Sequence, residues 1–317
     1  MRDILLQQPG ILKQLNRLYP EDEYMGLERL PATRNITYVI NGVKGKYFFK
    51  LSPEEACEPL IREYAGIKEF YLRGGPVPRP LPVKDGSDYL IELKDTCYMV
   101  RGYEFIEGEV PKVIESSFHN FGITIGRFHN TWQPENKPSF LPEINLGNLI
   151  YEPLDDIADR FPNSRIKYFR KLGQGVAEVL SAHMDVDYLG ITHGDMHHMN
   201  AIKASNGNMI LIDLEDMGWQ WRVYDLATAI WGTFGRGGGA LIWNELITGY
   251  SSQHKLSKTE EMLIRYLIFA RHLWWLGLYA RNWELWPLGY TLRQFFEPGL
   301  ELLEIIAKEV CVLDIKE

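Results

Sequence analysis

Cysteine is scarce in this sequence, which has only Cys57, Cys97 and Cys311, and these lie far apart. An odd number of cysteines at such spacing predicts neither a disulfide framework nor a thiolate zinc site, and it fits a reducing cytoplasm. Clusters of five or six Lys and Arg residues are also absent, and 34 basic against 42 acidic residues give a formal net charge of −8. Because nucleic acids are bound largely through neutralised phosphates, we expect no nucleic-acid partner.

Long hydrophobic runs are missing as well. The N-terminal sequence MRDILLQQPG lacks the continuous apolar segment of a signal peptide. The most apolar stretch, residues 262–280, is interrupted by Arg265, Arg271 and His272, which is not typical of a transmembrane helix. We therefore expect a cytoplasmic protein that is not exported and has no membrane partner.

The rest of the composition is that of a globular protein, with 45% apolar and 24% charged residues in a chain of 317. That length predicts about two domains. Residues 36–40 and 47–51 are rich in β-branched and aromatic side chains, and Asn41-Gly42 between them indicates a hairpin turn. Residues 88–92 and 97–103 are two further strand-like runs.

The pattern changes after residue 108. From residue 111 it is mostly helical, apart from a β-like insertion at residues 200–214. The sequence thus predicts an α+β fold, with a small antiparallel-sheet domain at residues 1–108 and a larger, mainly helical domain at residues 109–317.

A helix is predicted directly after the second strand. Ser52 can cap it, Pro53 can occupy its first position, and Glu55 can complete a capping box. Gly74-Gly75 then ends the helix. The apolar residues of its buried face recur every three or four positions: Ala56, Leu60, Tyr64, Ile67 and Tyr71. Glu63 lies at the edge of this face.

The strongest chemical signal is the segment THGDMHHMN at residues 192–200, followed by a short hairpin and MILID at residues 209–213. Asp195 precedes Asn200 by five residues, as in the catalytic loop of kinases, where the Asp accepts the proton of the substrate hydroxyl and the Asn holds a metal ion. Asp213, at the end of an apolar strand, is the expected second metal ligand. Mg²⁺ takes one or two carboxylates from a protein and keeps several waters, which suits this pair.

The first domain offers the remaining parts of such a site. Lys50 ends a predicted strand, and Glu63 follows thirteen residues later in the next helix. Kinases use a strand Lys to contact phosphates and a helix Glu to orient that Lys. Either residue alone would be an ordinary surface charge, and only the combination with Asp195, Asn200 and Asp213 gives the pair this meaning.

HGDxHxxN followed by IDxED, the Lys50/Glu63 pair and the segment EFIEG at residues 104–108 together resemble the aminoglycoside phosphotransferase and choline kinase superfamily. The resemblance covers roughly residues 30–286. The Arg- and Trp-rich stretch 262–286 is also similar to the homoserine kinase and bacterial stress-response kinase branch. The resemblance implies a bilobal, protein-kinase-like fold that binds ATP or GTP with Mg²⁺ between its lobes.

The resemblance also implies roles for individual residues. Asp195 would be the catalytic base, and Asn200 and Asp213 would bind Mg²⁺. Lys50, held by Glu63, would contact the phosphates of the nucleotide. The backbone of Glu104 and Ile106 would hydrogen-bond its purine base, and a turn at Asn35 to Thr37 would cover its phosphates. Asp225 resembles the buried aspartate that braces the catalytic loop.

Some features depart from protein kinases. The stretch 31–37 has no glycine, an A-P-E segment is missing, and Asp213 is followed by Leu-Glu-Asp rather than Phe-Gly. These departures favour a phosphotransferase for a small hydroxyl compound, such as an amino alcohol, an aminosugar or a choline-like molecule. A stress-response-type protein Ser/Thr kinase and a catalytically degenerate binding protein, similar to some spore-coat relatives, are the alternatives.

Two other motifs have competing interpretations. A metallohydrolase could use His193, Asp195, His197 and His198 as metal ligands, but that hypothesis leaves Asn200 and the Lys50/Glu63 pair unexplained. Residues 235–240 fit the dinucleotide-binding pattern G-x-G-x-x-A, yet they follow a helical stretch rather than a strand. We interpret them as an interhelical loop.

The acceptor site is expected on a helix that begins after Ser257, which can form a capping box with Glu260, and that ends near Trp283. One face of this helix is apolar, whereas Arg271 and Trp275 lie on the opposite face. Because such a mixture suits the wall of a polar ligand site, we predict that both residues contact the acceptor. The alternative is a second packing face, with the Arg paired to an acid such as Asp216.

Overall fold

The computed structural model of the protein describes residues 8–31, 35–84, 89–93, 96–163, 165–184, 186–285 and 289–311. These residues form two compact units. The first contains the described residues up to Val110 together with Ala201–Asp216, and the second contains Pro111–Asn200 and the described residues from Met217 onward. The β-like insertion therefore packs with the first unit, because strand pairing joins it to residues 108 and 109.

The first unit is built on a five-stranded antiparallel sheet with the strand order β1-β2-β3-β5-β4. The strands are β1 (Tyr24–Leu30), β2 (Ile36–Gly42), β3 (Lys46–Pro53), β4 (Leu90–Leu93) and β5 (Thr96–Glu104). A second sheet of three short strands has the order β6-β8-β9, from β6 (Gly108–Glu109), β8 (Ala201–Ala204) and β9 (Met209–Leu211). Buried side chains of the large sheet, such as Phe49 and Leu51, form the core of this unit with Ile11 and Leu15 of helix α1 (Gln8–Leu18).

Helix α2 (Glu58–Leu72) begins later than the sequence predicts. The predicted capping box of Ser52 and Glu55 does not form, because β3 remains paired with β5 as far as Pro53 and a 3₁₀ turn follows at Glu54–Ala56. The Ser52 hydroxyl donates instead to the carbonyl oxygen of Ala56, at 3.1 Å. Five residues of α2 are buried: Leu60, Glu63, Gly66, Ile67 and Phe70. Tyr71, predicted on this face, is exposed.

The first hairpin also turns later than predicted. Asn41-Gly42 belongs to the end of β2, where Gly42 pairs with Tyr24 of β1. The chain reverses at residues 43–45, and the Gly42 amide donates to the carbonyl oxygen of Gly45 at 2.7 Å. Pairing with β1 thus extends β2 beyond the local turn signal. The predicted strand start at Asp88 and the predicted turn at Lys94-Asp95 lie outside the described residues.

The second unit is mainly helical. Its helices are α3 (Glu115–Thr131), α4 (Glu152–Arg160), α5 (Ile166–Ser181), α6 (Tyr224–Trp231), α7 (Ala240–Ser251), α8 (Lys258–Arg281) and α9 (Leu292–Ile305). Helices α3 and α7 approach closely, since a Cβ atom on Gly122 would lie 2.1 Å from the Leu246 carbonyl oxygen. The glycine-rich stretch 235–239 connects α6 with α7, as an interhelical loop should.

Two short strands in this unit were missed by the sequence interpretation, β7 (Leu189–Thr192) and β10 (Gly218–Trp221), which pair antiparallel. Each has only four residues, too few to show an alternating pattern. Among the helices that the structure describes, none combines the length and apolar character needed to cross a bilayer.

Helix α8 begins with the predicted capping box. The Ser257 hydroxyl accepts from the Glu260 amide at 3.2 Å, and the Glu260 carboxylate accepts from the Ser257 amide at 2.9 Å. The two-faced pattern predicted for this helix is wrong at its middle, where every residue from Leu267 to Leu273 is buried. Helices α4, α5, α6 and α9 all pack against α8.

Candidate active site

Lys50 lies inside strand β3, which pairing with β5 extends to Pro53 beyond the predicted end, and it is opposite Thr37 of β2 and Arg101 of β5. Its Nζ atom contacts both carboxylate oxygens of Glu63 on α2, at 2.9 and 3.0 Å. Both side chains are buried, with 7% and 1% of their surface exposed. The sequence-predicted pair is therefore present as a buried ion pair.

Two more carboxylates contact the same ammonium group. Lys50 Nζ lies 2.6 Å from Oδ1 of Asp213 and 2.8 Å from Oε1 of Glu215. Asp213 follows strand β9 closely and has a φ of 65°, in the left-handed region that non-glycine residues seldom occupy. The next amide, that of Leu214, donates to Glu63 Oε1 at 3.2 Å. Helix α2 and the segment after β9 are thus joined through one carboxylate.

The cluster of Lys50, Glu63, Asp213 and Glu215 has more negative than positive charge. Burial lowers the pKa of Lys50, but the three carboxylates outweigh burial and raise it well above its usual value, so Lys50 stays charged. Burial, together with Glu215 and Asp213, raises the pKa of Glu63 above its usual value despite the nearby Lys50. One ammonium group therefore does not neutralise the three acids.

The three carboxylates that meet around the Lys50 ammonium group are also of the type that binds a divalent cation. One oxygen from each of Glu63, Asp213 and Glu215 lies within 4.8 Å of the others, and no other group of three His, Cys, Asp or Glu side chains in the described chain meets that test. The donors are hard carboxylate oxygens, which Mg²⁺ prefers. Asp213 is also 48% exposed, so it can exchange its contact with Lys50 for another ligand.

Glu215 was missed as a site residue, although the motif IDxED contains it two residues after Asp213. Asn35 Nδ2 donates to Glu215 Oε1, which ties the residue before β2 to the cluster. Arg62 of α2 donates to the main-chain oxygen of Glu215 at 2.9 Å. Of the predicted phosphate-covering turn, Asn35 precedes β2, whereas Thr37 lies inside that strand and is buried.

The segment predicted to contact the nucleotide base follows strand β5. Glu104 is the last residue of β5, and its amide donates to the Arg79 carbonyl oxygen at 2.9 Å. The Phe105 amide donates to the Lys46 carbonyl oxygen at 3.3 Å. These two bonds fix the backbone on which the Glu104 carbonyl and the Ile106 amide lie.

In the second unit, strand β7 leads into the loop that begins at His193. The Asp225 carboxylate accepts from the amides of His193 at 2.8 Å and Gly194 at 3.0 Å. His129 Nε2 lies 3.0 Å from the same carboxylate, and both side chains are fully buried. Gly194 has a φ of 83°, which a residue with a side chain would adopt only under strain. The bracing role implied for Asp225 thus agrees with its contacts.

Asp195 and Asn200 are joined within this loop. Asn200 Nδ2 donates to the main-chain oxygen of Asp195 at 2.9 Å and to its Oδ2 at 3.2 Å. The amide oxygen of Asn200 is therefore the atom that this residue could offer to a metal ion. Burial alone would raise the pKa of Asp195, but Arg271 and His197 hold that pKa far below its usual range.

Two of the histidines, His193 and His197, contact Asp195 within this loop. His193 Nδ1 accepts from the Asp195 amide at 3.3 Å, and His197 Nε2 lies 3.3 Å from Asp195 Oδ2. In the residues that the structure covers, His193, Asp195, His197 and His198 do not bring their donor atoms close enough to hold one ion. This arrangement disfavours the metallohydrolase hypothesis.

Arg271 and Trp275, both predicted at the acceptor site, have different surroundings. Arg271 Nη2 donates to Asp195 Oδ1, so an acid that pairs with it is the predicted catalytic base. Trp275 instead packs against His272, Tyr279 and Phe295, with ring centroids 5.0 to 5.7 Å apart. A charged residue inside an apolar helix indicates that an oppositely charged partner is buried with it. The position of the residue in the helix does not identify that partner.

Known proteins resemble the chain in both sequence and structure. An uncharacterized protein of Deinococcus radiodurans is 26% identical over 251 residues, covering 76% of this chain and 72% of its own. Among solved structures, amicoumacin kinase hAmiN in complex with AMP-PNP, Ca²⁺ and Ami has a TM-score of 0.72 at 19% identity, covering 96% of this chain and 93% of that one.

A microcompartment-associated aminopropanol kinase likewise has a TM-score of 0.72, at 18% identity and with 96% of each chain covered. These likenesses confirm the predicted kinase-like α+β fold. The model of the phosphotransferase enzyme family, APH, matches residues 27–261. That match spans most of the chain and includes Lys50, Glu63, Asp195, Asn200 and Asp213, so the chain belongs to the phosphotransferase enzyme family.

Proposed function

We propose that the protein transfers the γ-phosphoryl group of ATP or GTP to a hydroxyl group of a small polar molecule, and that it requires Mg²⁺. The observation that carries this proposal is the buried Lys50–Glu63 ion pair, which contacts Asp213 through the same ammonium group. A structural ion pair would need only one acid per cation, whereas a phosphate site needs a fixed cation beside metal-binding carboxylates.

The first unit receives the nucleotide. Lys50 contacts the phosphates once Asp213 gives up its ammonium contact, and Glu63 keeps Lys50 in place by two hydrogen bonds. The backbone of Glu104 and Ile106 binds the base. Asn35, held by Glu215, fixes the end of the segment that covers the phosphates.

Asp213 and the amide oxygen of Asn200 are the proposed protein ligands of Mg²⁺, with Glu215 close to Asp213. When bound, Mg²⁺ neutralises phosphate charge during transfer. The excess of carboxylates around Lys50 supports this assignment, since a divalent cation would offset the repulsion from Glu215 and Asp213 that adds to burial in raising the pKa of Glu63.

In the second unit, Asp195 accepts a hydrogen bond from the acceptor hydroxyl and aligns its oxygen with the γ-phosphorus. A bond forms between that oxygen and the phosphorus while the bond from the phosphorus to the β–γ bridging oxygen breaks. ADP or GDP leaves, and the hydroxyl proton passes to Asp195 and then to solvent. Asn200 and His197 hold the Asp195 carboxylate during this step.

The acceptor is a small polar alcohol, as for the aminopropanol kinase that the chain resembles. Amino alcohols, aminosugars and choline-like compounds are therefore the first to test. The test measures ADP or GDP release with Mg²⁺ and 1-amino-2-propanol, homoserine, choline, an aminosugar or a polypeptide, and identifies the phosphorylated product by ³¹P NMR. Asp195→Asn is the matched inactive control.

Formation of a phosphate monoester on one of the small alcohols supports the proposal. Phosphorylation of the polypeptide alone would instead identify a protein Ser/Thr kinase. Absence of nucleotide turnover with every compound would identify a degenerate binding protein. The complete set of Lys50, Glu63, Asp195, Asn200 and Asp213 argues against that last outcome, because stability alone does not require five such residues.

A further inference from the structure

Arg271 contacts the carboxylate of Asp195 from helix α8. Its Nη2 atom donates to Asp195 Oδ1, and its Nη1 atom donates to the Gly194 carbonyl oxygen at 3.4 Å. The second carboxylate oxygen, Oδ2, lies 3.2 Å from Asn200 Nδ2 and 3.3 Å from His197 Nε2. Both oxygens of Asp195 thus have partners, and Arg271 is the partner that comes from outside the loop.

Aromatic side chains hold the guanidinium group. Its Cζ atom lies 4.8 Å from the ring centroid of Trp231 and 4.6 Å from that of Trp274, distances at which cation–π attraction operates. Trp231 is itself fixed, since its Nε1 donates to His272 Nδ1 at 3.0 Å. His272 Nε2 lies 2.8 Å from the Gly299 carbonyl oxygen on α9. A series of contacts from α9 to Asp195 therefore limits how far Arg271 can move.

Burying the charge of Arg271 costs free energy that a purely structural residue would not need to cost. Only 3% of its surface is exposed, and its neighbours Phe269, Ala270 and Leu273 on the helix are buried apolar residues. Replacing a buried ion pair with apolar side chains of similar size is often neutral or stabilising. An apolar pair in place of Arg271 and Asp195 together would therefore satisfy the packing of α8, so the retained charges need a reason in the loop that Arg271 contacts.

We infer that Arg271 is a positioning residue for Asp195, which fixes the rotation of the carboxylate so that Oδ2 stays the oxygen available to the acceptor hydroxyl. This inference rests on the proposed function. The planar guanidinium group suits the task, because its two nitrogens contact the side chain and the backbone of one loop at once. Lysine has a single nitrogen and does not stack on tryptophan rings in the same way.

The test compares two substitutions. Arg271→Met keeps the aliphatic part of the side chain but removes the charge, and Arg271→Lys keeps the charge but removes the planar guanidinium group. Arg281→Met and Arg281→Lys are matched controls on the same helix, where Arg281 pairs with Asp156 at 2.6 Å and is 54% exposed. Steady-state kcat and KM are measured with Mg·ATP and the best alcohol from the acceptor panel, per mole of nucleotide-binding sites.

We expect kcat to fall about 100-fold in Arg271→Met and about tenfold in Arg271→Lys, since small displacements of a reacting group cost factors of this size. The KM for ATP should stay within about twofold, and both Arg281 variants should match the wild type. Arg271→Lys keeps the inference testable if Arg271→Met does not fold. If Arg271 were merely structural, both substitutions would lower thermal stability and leave kcat per binding site unchanged. That result would overturn the inference.

A double-mutant cycle with Asp195→Asn identifies the route of the effect. If Arg271 acts through Asp195, Arg271→Met should reduce kcat by less than about fivefold when Asp195 is already Asn. An equal loss in both backgrounds would overturn the inference while leaving the proposed function intact. Absence of wild-type turnover with every acceptor would contradict the proposed function, and this inference with it.

Discussion

Lys50 and Asp195 are both charged residues whose side chains are mostly buried, but their surroundings have opposite composition. Lys50 is one cation among three carboxylates, those of Glu63, Asp213 and Glu215. Asp195 is one carboxylate that contacts the Arg271 guanidinium group, the His197 ring and the Asn200 amide. The first cluster has too much negative charge, whereas the second has its charge fully compensated.

This difference indicates two kinds of task. A cluster with surplus negative charge is completed by a ligand that brings positive charge, and its contacts must rearrange when that ligand binds. A compensated carboxylate needs no added ion and gains from staying in one orientation. We therefore expect substitutions in the first cluster to act mainly on binding and those in the second to act mainly on turnover.

The largest effect should come from Asp195→Asn, which we expect to lower kcat by roughly 10²–10⁴ through loss of the base. Asn keeps an oxygen for Arg271, so fold and nucleotide binding should persist. Single-turnover kinetics measure the effect, with Asp159→Asn on an exposed residue of α4 as the control. Retention of more than about a third of the wild-type kcat would remove the assigned role.

Asp213→Ala should weaken Mg²⁺-dependent nucleotide binding by at least about 10–100-fold, the usual cost of damaging the surroundings of a metal. Asn200→Ala should cost less, because an amide contributes a dipole and a carboxylate a full charge. Calorimetry with a non-hydrolysable nucleotide, with and without Mg²⁺, measures both.

Asp213→Asn separates charge from backbone, since Asn tolerates the left-handed conformation that Asp213 adopts. This variant should bind nucleotide in the presence of Mg²⁺ as weakly as Asp213→Ala does. Equal binding by wild type and Asp213→Ala would exclude Asp213 from the metal site, and the two clusters would then not differ as described.

Trp275→Ala should lower the free energy of unfolding by about 2 kcal/mol, less than for a fully buried Trp, because it removes packing against His272, Tyr279 and Phe295. Urea unfolding measures this loss. If Trp275 also lines the acceptor site, as the sequence predicts, the acceptor KM should rise severalfold while the nucleotide KM stays within about twofold. Unchanged acceptor kinetics would mark Trp275 as a packing residue only.

The smallest effect concerns His272, which supports Trp231 beside Arg271. Burial lowers the pKa of His272 from 6.5 to about 4. Between these values the unfolded chain binds a proton that the folded protein does not, so stability is complete above pH 6.5 and falls as the pH drops towards 4. The loss at pH 5.5 is about 1.4 kcal/mol.

His272→Gln should remove this part of the pH dependence. The free energies of unfolding at pH 7.5 and pH 5.5 should then differ by about 1.4 kcal/mol less in the variant than in the wild type. Urea unfolding at the two values measures the change. His119→Gln, on a partly exposed His paired with Glu245, is the control. An identical pH dependence in wild type and His272→Gln would show that His272 does not set it.

The sequence predicted well those features whose signal is local. The Asp195/Asn200 spacing, the Ser257 capping box and the Lys50/Glu63 pair each depend on a short motif or on adjacent elements, and the structure brings the members of each into contact. The family and the α+β fold followed from the same motifs. Their roles in catalysis and binding stay predictions.

Features set by tertiary packing were harder to predict. The capping box at Ser52 fails because pairing between β3 and β5 continues past it. The Arg271–Asp195 pair joins residues 76 positions apart, and neither periodicity nor propensity connects them. The sequence suggested that Arg271 has an acidic partner and gave Asp216 as an example rather than Asp195, since charge type alone does not distinguish one acid from another.

The division of the chain has a consequence for synthesis. The first unit needs Ala201–Asp216 to complete it, and these residues supply β8, β9 and Asp213. At about 5–20 residues per second, a ribosome takes roughly 5–20 seconds to make residues 111–200 after the rest of that unit has been made. During this interval Lys50 and Glu63 have neither Asp213 nor Glu215 as neighbours. The nascent first unit thus cannot acquire the carboxylates of Asp213 and Glu215 until the chain has been made as far as residue 215, and a fragment that ends at residue 200 would never acquire them.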